Sequence, residues 1–245
     1  MYDNIIKNFW FNIKKEVSTL IIQDSILSKF YFKNILQHKN FISSLSYILS
    51  KKISNNLLSF SSLRNLFEKI FVNNKLIIFS IIRDIKVIYN IDPVVDLFST
   101  PLLYFKGFHA LQMHRIGHYL WNNKRRSLAL YLQNQVSMLY SIDIHPAARI
   151  GSGVFFDHAN GIVIGETAVI DDDVSILQSV TLGSTGKTLG IRHPKICKGV
   201  IIGSGATVLG DINIGIGAKI GAGAVVLYSI PPYKTAVGIP AKVVN

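Results

Sequence analysis

No glycine occurs before Gly107 and no proline before Pro93, while sixteen of the eighteen glycines lie from Gly151 onward. An early stretch without these breakers, rich in Ile, Leu, Phe, Lys and Asn, reads as helical. Apolar periodicity places helices near residues 4–22, 25–38, 41–51, 60–72 and 75–90. Thr100-Pro101 predicts a further start, a hydroxyl N-cap followed by proline at the first helical position. That helix is expected to run to Trp121 and end at Asn122-Asn123, and another to span Arg126 to Tyr140. Many of these residues are β-branched or Asn, which are mediocre helix formers. The helices must therefore rely on packing against one another or against another subunit.

Cysteine is nearly absent. Cys197 stands alone, which excludes an intrachain disulfide and favours a reducing compartment. Long apolar runs are missing too. The run Leu76 to Ile82 stops at seven residues, far short of a bilayer span, and no charged, apolar and cleavage regions of a secretory leader open the chain. The expectation is a soluble cytoplasmic protein with no membrane partner. Acidic residues are scarce, 14 against 26 Lys and Arg, for a net charge of +12. The imbalance is local: residues 1–140 hold 18 basic and 7 acidic side chains, residues 141–245 hold 8 and 7. The lysines are dispersed and form no dense stripe or recognised binding motif, so no nucleic-acid partner is expected.

What the second half does have is a six-residue period. Aliphatic or Phe side chains fall at Ile144, Ile150 and Phe156, then at Ile164, Ile170, Ile176 and Leu182, then from Ile196 through Ile202, Val208, Ile214 and Ile220 to Val226. A small or β-branched residue usually sits four places later, as at Ala148, Val154, Ala168, Val174 and Val180. Glycine follows the key position at Gly151, Gly165, Gly203, Gly215 and Gly221. This is a hexapeptide repeat, the signature of a parallel β-helix. Three six-residue sides make one triangular coil, and the stretch holds roughly four to five coils at that period. Stacking the coils buries a continuous aliphatic column.

The repeat breaks twice, and each break carries a histidine. The first, near Phe156, adds two residues and contains Asp157-His158-Ala159-Asn160, with Asn160 at the usual small position. The second, Gly183 to Lys195, adds eight and ends in Arg192-His193. A local failure of a strict pattern points to function. Asp143 lies fifteen residues before His158, near the matching corner of the preceding coil. A carboxylate on one imidazole nitrogen leaves the other as a base near neutral pH. Arg192 offers a planar fork for a carboxylate, and His193 a group to polarise or orient a substrate. Gly183-Ser-Thr-Gly-Lys187 lacks the spacing and following helix of a nucleotide phosphate loop. Cys197 sits inside a regular repeat unit, away from any histidine in sequence, which argues against a covalent thiol catalyst. His114 and His118, four apart on one helix face, have a metal-binding spacing but no third ligand nearby in sequence.

Taken together, Asp143-Ile-His-Pro-Ala-Ala-Arg-Ile-Gly, Asp157-His158, Gly161-Ile-Val-Ile-Gly-Glu-Thr, Ser175-Ile-Leu-Gln-Ser-Val-Thr-Leu-Gly, Arg192-His-Pro-Lys and Gly238-Ile-Pro-Ala-Lys closely resemble the serine O-acetyltransferase family. Asp92-Pro-Val-Val-Asp and Ser99-Thr-Pro-Leu-Leu-Tyr-Phe-Lys-Gly-Phe-His-Ala-Leu-Gln match it as well. The match is specific from residue 90 to 242 and looser before. The resemblance implies an α + β chain, with a helical oligomerisation domain over residues 1–140 that contributes Asp92 to the site. A left-handed parallel β-helix over residues 141–245 would follow, an exception to the right-handed crossover rule. It implies transfer of acetyl from acetyl-CoA to the L-serine hydroxyl, the first step of cysteine biosynthesis from serine, with no tightly bound cofactor and no metal. It implies trimers, commonly doubled to hexamers, with active sites between subunits. His158, oriented by Asp143, would be the base, with His193 assisting. Asp92 and Asp157 would hold the serine ammonium and Arg192 its carboxylate. CoA would lie along Gly183, Ser184, Thr185, Ser204, Lys219 and Ala222 toward Lys242. Ser184 stands where the family commonly has glycine. The chain stops at Asn245, where many members continue with a tail associated with cysteine inhibition and docking to O-acetylserine sulfhydrylase. Lost docking and weakened inhibition are therefore expected. Competing expectations are a sugar or other hydroxyl acceptor, a γ-carbonic anhydrase-like lyase using His145, His158 and His193, and a passive scaffold.

Overall fold

The computed structural model describes residues 2–187 and 189–244, so Thr188, within the second insertion, and the terminal Met1 and Asn245 lie outside the described residues. The chain forms two compact units that divide between Phe105 and Lys106. The change from helix to strand comes later, between Tyr140 and Asp143.

The first unit begins with α1 (Tyr2–Gln23). The expected helix over 25–38 is a mixture: a 3₁₀ turn (Ser25–Leu27) capped by the Asp24 carboxylate, α2 (Ser28–Tyr31), and a π turn (Phe32–Leu36). Then come α3 (Phe41–Ile53) and α4 (Phe60–Asn73), whose starts are capped by Asn40 and Ser59, each accepting from the backbone N–H three residues on. In α5 (Lys75–Ile91), Ile78, Ile81, Ile82, Ile85 and Ile88 are buried, the i, i+3, i+4 stripe of a helix with one face in a core. They share that core with residues such as Ile13, Val17, Phe41, Phe67 and Phe71. Among the described residues no helix is long and apolar enough to cross a membrane.

The helix expected from Thr100 to Trp121 is two helices, α6 (Ser99–Tyr104) and α7 (Lys106–Asn122), with Phe105 extended between them. Nor is Thr100 the cap. The backbone N–H groups of Phe98 and Ser99 donate to the two carboxylate oxygens of Glu16 on α1, at 3.1 and 2.8 Å. A distant carboxylate thus satisfies the first amides, which local sequence cannot reveal.

In the second unit, α7 and α8 (Arg126–Tyr140) pack together and against the first strands. Gly107 allows this, because a Cβ there would overlap the Phe156 carbonyl. The Arg115 guanidinium of α7 donates to the Gly151 carbonyl at 2.8 Å. The strands are β1 (Asp143–Ile144), β2 (Arg149–Ile150), β3 (Phe155–Phe156), β4 (Val163–Ile164), β5 (Val169–Ile170), β6 (Ser175–Ile176), β7 (Thr181–Gly183), β8 (Lys195–Ile196), β9 (Ile201–Ile202), β10 (Thr207–Leu209), β11 (Asn213–Ile214), β12 (Lys219–Ile220), β13 (Val225–Val226), β14 (Thr235–Val237) and β15 (Lys242–Val243). They wind into three sheets ordered β1-β4-β7-β10-β13, β2-β5-β8-β11 and β3-β6-β9-β12-β14-β15. All pairs are parallel except the closing β14–β15. This is the left-handed β-helix.

Register shows the two insertions directly. Val163 pairs with Thr181, one regular coil of eighteen residues on. Asp143 pairs with Val163, twenty residues on, and Thr181 with Thr207, twenty-six on. The extra residues are extruded while the ladder continues. Ile144, Ile164, Leu182, Val208 and Val226 form one buried column. Asn160 does not take the interior place in the first insertion; Ala159 is buried there and Asn160 is exposed. The two added residues move the small slot one position back.

Candidate active site

The second insertion returns to the coil as a pinned pair. Its eight extra residues set Arg192 and His193 twenty-six positions after Glu166 and Thr167, the same offset as the β5–β8 ladder. Arg192 Nη2 donates to Glu166 Oε2 at 2.5 Å. Thr167 Oγ1 accepts from the backbone N–H groups of Arg192 and His193, at 3.0 and 3.1 Å. His193 Nδ1 faces Thr167 N at 3.2 Å and Thr167 Oγ1 at 2.8 Å. The ring lies against Gly165, where a Cβ would fall within it.

This geometry moves the nearby titrations. Burial, then the Arg192 charge, lowers the His193 pKa, while Glu166 partly opposes them. The hydrogen bond from Arg192 holds the Glu166 carboxyl below its ordinary range. Burial lowers the pKa of His145 as well, against the raising influence of Glu166 and Asp143. The His145 Nδ1 accepts from Ala147 N at 3.1 Å, and its ring meets Trp121 edge-on. Glu166, Thr167, Ile191 and His193 line a groove of about 420 Å³ with Arg149, Lys195, Asp211 and Asn213.

The first insertion is held by its backbone and leaves its side chain free. His158 and Ala159 both have positive φ, 52° and 67°. The flanking chain is tied down by Ser179 N to Asn160 O and Gly161 N to Ser141 O, each 2.6 Å. The His158 side chain is 74% exposed, and its Nε2 lies 3.8 Å from Asp157 Oδ1. Asp143 and His158 are not hydrogen-bonded; Asp143 Oδ1 instead accepts from Gln133 Nε2 of α8 at 2.6 Å. The ladder explains the separation. Asp143 stacks on Val163, and His158 sits in the extruded turn that precedes it.

Asp92 belongs to the first unit. It follows α5 and accepts from Val94 N at 3.1 Å in a tight turn. The residues assigned to CoA spread along the coil. Ser204 and Ala222 occupy equivalent corners eighteen residues apart, so close that a Cβ on Gly203 would stand 2.6 Å from Ala222 N. Gly183, Ser184 and Thr185 leave from the far end of the β7–β10 pair. Lys219 and Lys242 are exposed on the six-stranded sheet, on β12 and β15. His114 is buried, which drives its pKa well below the ordinary value, and His118 donates to the Pro146 carbonyl at 2.8 Å. Among the described residues no three His, Cys, Asp or Glu side chains are arranged to hold a metal ion. Sequence reasoning gave no role in the site to Gly165, Glu166, Thr167 or Gln133. For the two that touch Arg192 and His193, counting the ladder through the eight-residue insertion would have found them.

Comparison with known proteins agrees with this architecture. Residues 9–113 match the family model described as serine acetyltransferase, N-terminal. The serine acetyltransferase of Salmonella typhimurium is 55% identical, with 96% of this chain and 86% of that protein covered. A solved serine acetyltransferase in complex with CoA matches with a TM-score of 0.94 and 51% identity, covering 98% of this chain and all of that one. The soybean serine acetyltransferase complexed with serine gives a TM-score of 0.93 and 46% identity over 96% and 97% of the two chains. With identity of this level along nearly its whole length, the chain belongs to the serine acetyltransferase family.

Proposed function

We propose that His158 is the general base, that Arg192 receives the carboxylate of serine, and that His193 assists as a donor to the reacting substrate. The chain is an acyltransferase that moves acetyl from acetyl-CoA to the hydroxyl of L-serine, giving O-acetyl-L-serine and CoA. The reaction opens cysteine biosynthesis from serine. The observation that carries the residue assignment is the pinned Arg192–His193 pair, held on Glu166 and Thr167 beside an open groove.

In the proposed reaction His158 takes the serine hydroxyl proton as the oxygen attacks the thioester carbon. The new C–O bond makes a tetrahedral oxyanion, which donors in the site stabilise. Collapse breaks the C–S bond, and the leaving CoA thiolate takes the proton back from the imidazolium. Asp143 orients His158. That requires the His158 ring to turn, and its exposed side chain, without a hydrogen bond among the described residues, supports this freedom; catalytic hydrogen bonds often tighten only when substrate binds. Asp92 and Asp157 take the serine ammonium, and Arg192 takes its carboxylate. CoA runs past Gly183, Ser184, Thr185, Ser204 and Ala222, with Lys219 and Lys242 for its phosphates. The chain works as a trimer or a pair of trimers in the cytoplasm, with residues 1–140 joining copies and neighbouring subunits sharing each site.

The test is thiol release from acetyl-CoA by the purified chain, with L-serine, with a sugar acceptor, and with neither. Serine-dependent release is expected. Equal release with and without serine would overturn the assignment of the acceptor.

A further inference from the structure

We propose that Thr167 is a positioning residue that locks His193 as a neutral Nε2–H donor, so that His193 serves an anionic substrate oxygen and does not act as the base. This rests on the placement of His193 in the serine site proposed above. The argument is a count of donors and acceptors. A backbone N–H can only donate, so Thr167 N, 3.2 Å from His193 Nδ1, favours an unprotonated Nδ1 without fixing it alone. Thr167 Oγ1 already accepts from Arg192 N and His193 N. Its own hydrogen is therefore left for Nδ1, 2.8 Å away. Both donors of Thr167 converge on one ring nitrogen, and the ring proton must sit on Nε2.

Nε2 has no hydrogen-bond partner among the described residues, and Gly165 leaves room for the ring beside it. To accept a second proton, His193 would have to place an Nδ1–H against two donors. Charging is further opposed by burial and by Arg192, with Glu166 the one nearby group that favours it and His145 adding to the opposition. The pair at the end of the insertion therefore combines a cationic fork with a neutral donor, a set suited to a carboxylate or an oxyanion. It holds no second base to compete with His158.

The experiment is long-range ¹H–¹⁵N imidazole spectroscopy of the full chain near neutral pH, with the His193 signals assigned by their loss in His193→Asn. It is paired with steady-state kinetics of Thr167→Val and Thr167→Ser. The expected wild-type spectrum has a protonated Nε2 and an unprotonated Nδ1. Thr167→Val keeps the shape and the backbone N–H but removes the hydroxyl. It should show mixed tautomers and a kcat/KM for serine reduced by about tenfold, the scale of one lost hydrogen bond to a charged or polarised group, with the KM for acetyl-CoA unchanged. Thr167→Ser should restore both readouts. A protonated Nδ1 in the wild type would overturn the lock. A wild-type spectrum or unchanged serine kinetics in Thr167→Val would overturn the positioning role. Failure of the acetyl-transfer reading looks different: the wild type would show no serine-dependent turnover while its tautomer stood as expected.

Discussion

The two interruptions of the coil carry the same kind of side chain and treat it in opposite ways. The shorter one fixes its backbone through Asn160 and Gly161 and leaves the His158 ring exposed, with only a 3.8 Å approach from Asp157. The longer one extrudes exposed chain and then returns it, so that His193 is buried under hydrogen bonds from Thr167 and Arg192 is tied to Glu166. Insertion length alone does not predict order at the functional residue. What matters is whether that residue lies in the extruded turn or at the point where the ladder resumes. A residue at re-entry inherits the register of the coil below, and a residue in the turn does not. A free ring suits proton transfer coupled to substrate binding, and a fixed ring suits orientation.

Replacing the free ring should have the largest effect. General-base catalysis contributes about 10²- to 10⁴-fold, so His158→Ala should lower kcat by at least about 10²-fold with little change in the KM for serine. His193→Asn should instead act mainly by raising the KM for serine, with a smaller change in kcat. The comparison breaks if initial-rate measurements show His158→Ala within tenfold of the wild type, or if both substitutions shift the same constant.

Much of this contrast was legible in the chain. The hexapeptide count located both insertions and their lengths, because each coil has a fixed step and any surplus must be extruded. The helical half was legible in outline because breakers are missing before Pro93. Three features were not legible. The cap on α6 comes from Glu16, some eighty residues away, and no local signal announces it. The break at Phe105 contains no glycine or proline and falls where one compact unit gives way to the other. Sequence distance sets Asp143 near His158, whereas the ladder stacks Asp143 on Val163 and its carboxylate accepts a hydrogen bond from Gln133 of α8. The same ladder arithmetic, carried through the longer insertion, pairs Glu166 with Arg192 and Thr167 with His193. The repeat therefore holds more information about the pinned site than about the free one.

Filling the space beside the fixed ring should have the next effect. Gly165 has no positive φ, so alanine is tolerable to its backbone, but the added methyl would overlap the His193 imidazole. The ring must move. Misplacement of a positioned group by about 1 Å can cost about 10²-fold, so Gly165→Ala should reduce kcat/KM for serine by about 10- to 100-fold. Because the displaced ring lies at the edge of the coil, circular dichroism should still report a folded protein. Near wild-type kinetics from such a protein would mean that the placement of His193 is not needed, and the contrast between the two rings would lose its functional content.

The smallest effect is in titration. Because His193 is neutral in the folded site down to a lower pH than an ordinary histidine, the folded chain binds fewer protons there than the unfolded chain once pH falls below the ordinary value. Its contribution to stability is thus full above the ordinary histidine pKa and is lost as pH falls toward the lowered one. Glu166 is the charge that favours protonation of His193. Removing it in Glu166→Gln should push the His193 midpoint further down and also release Arg192 from its 2.5 Å partner. The ring-proton chemical shift of His193 followed against pH reads this directly. A midpoint that rises in Glu166→Gln would mean that the freed Arg192 swings away from the ring. Its fork would then depend on Glu166 for its aim, and the pinned insertion would be held by the ion pair more than by Thr167.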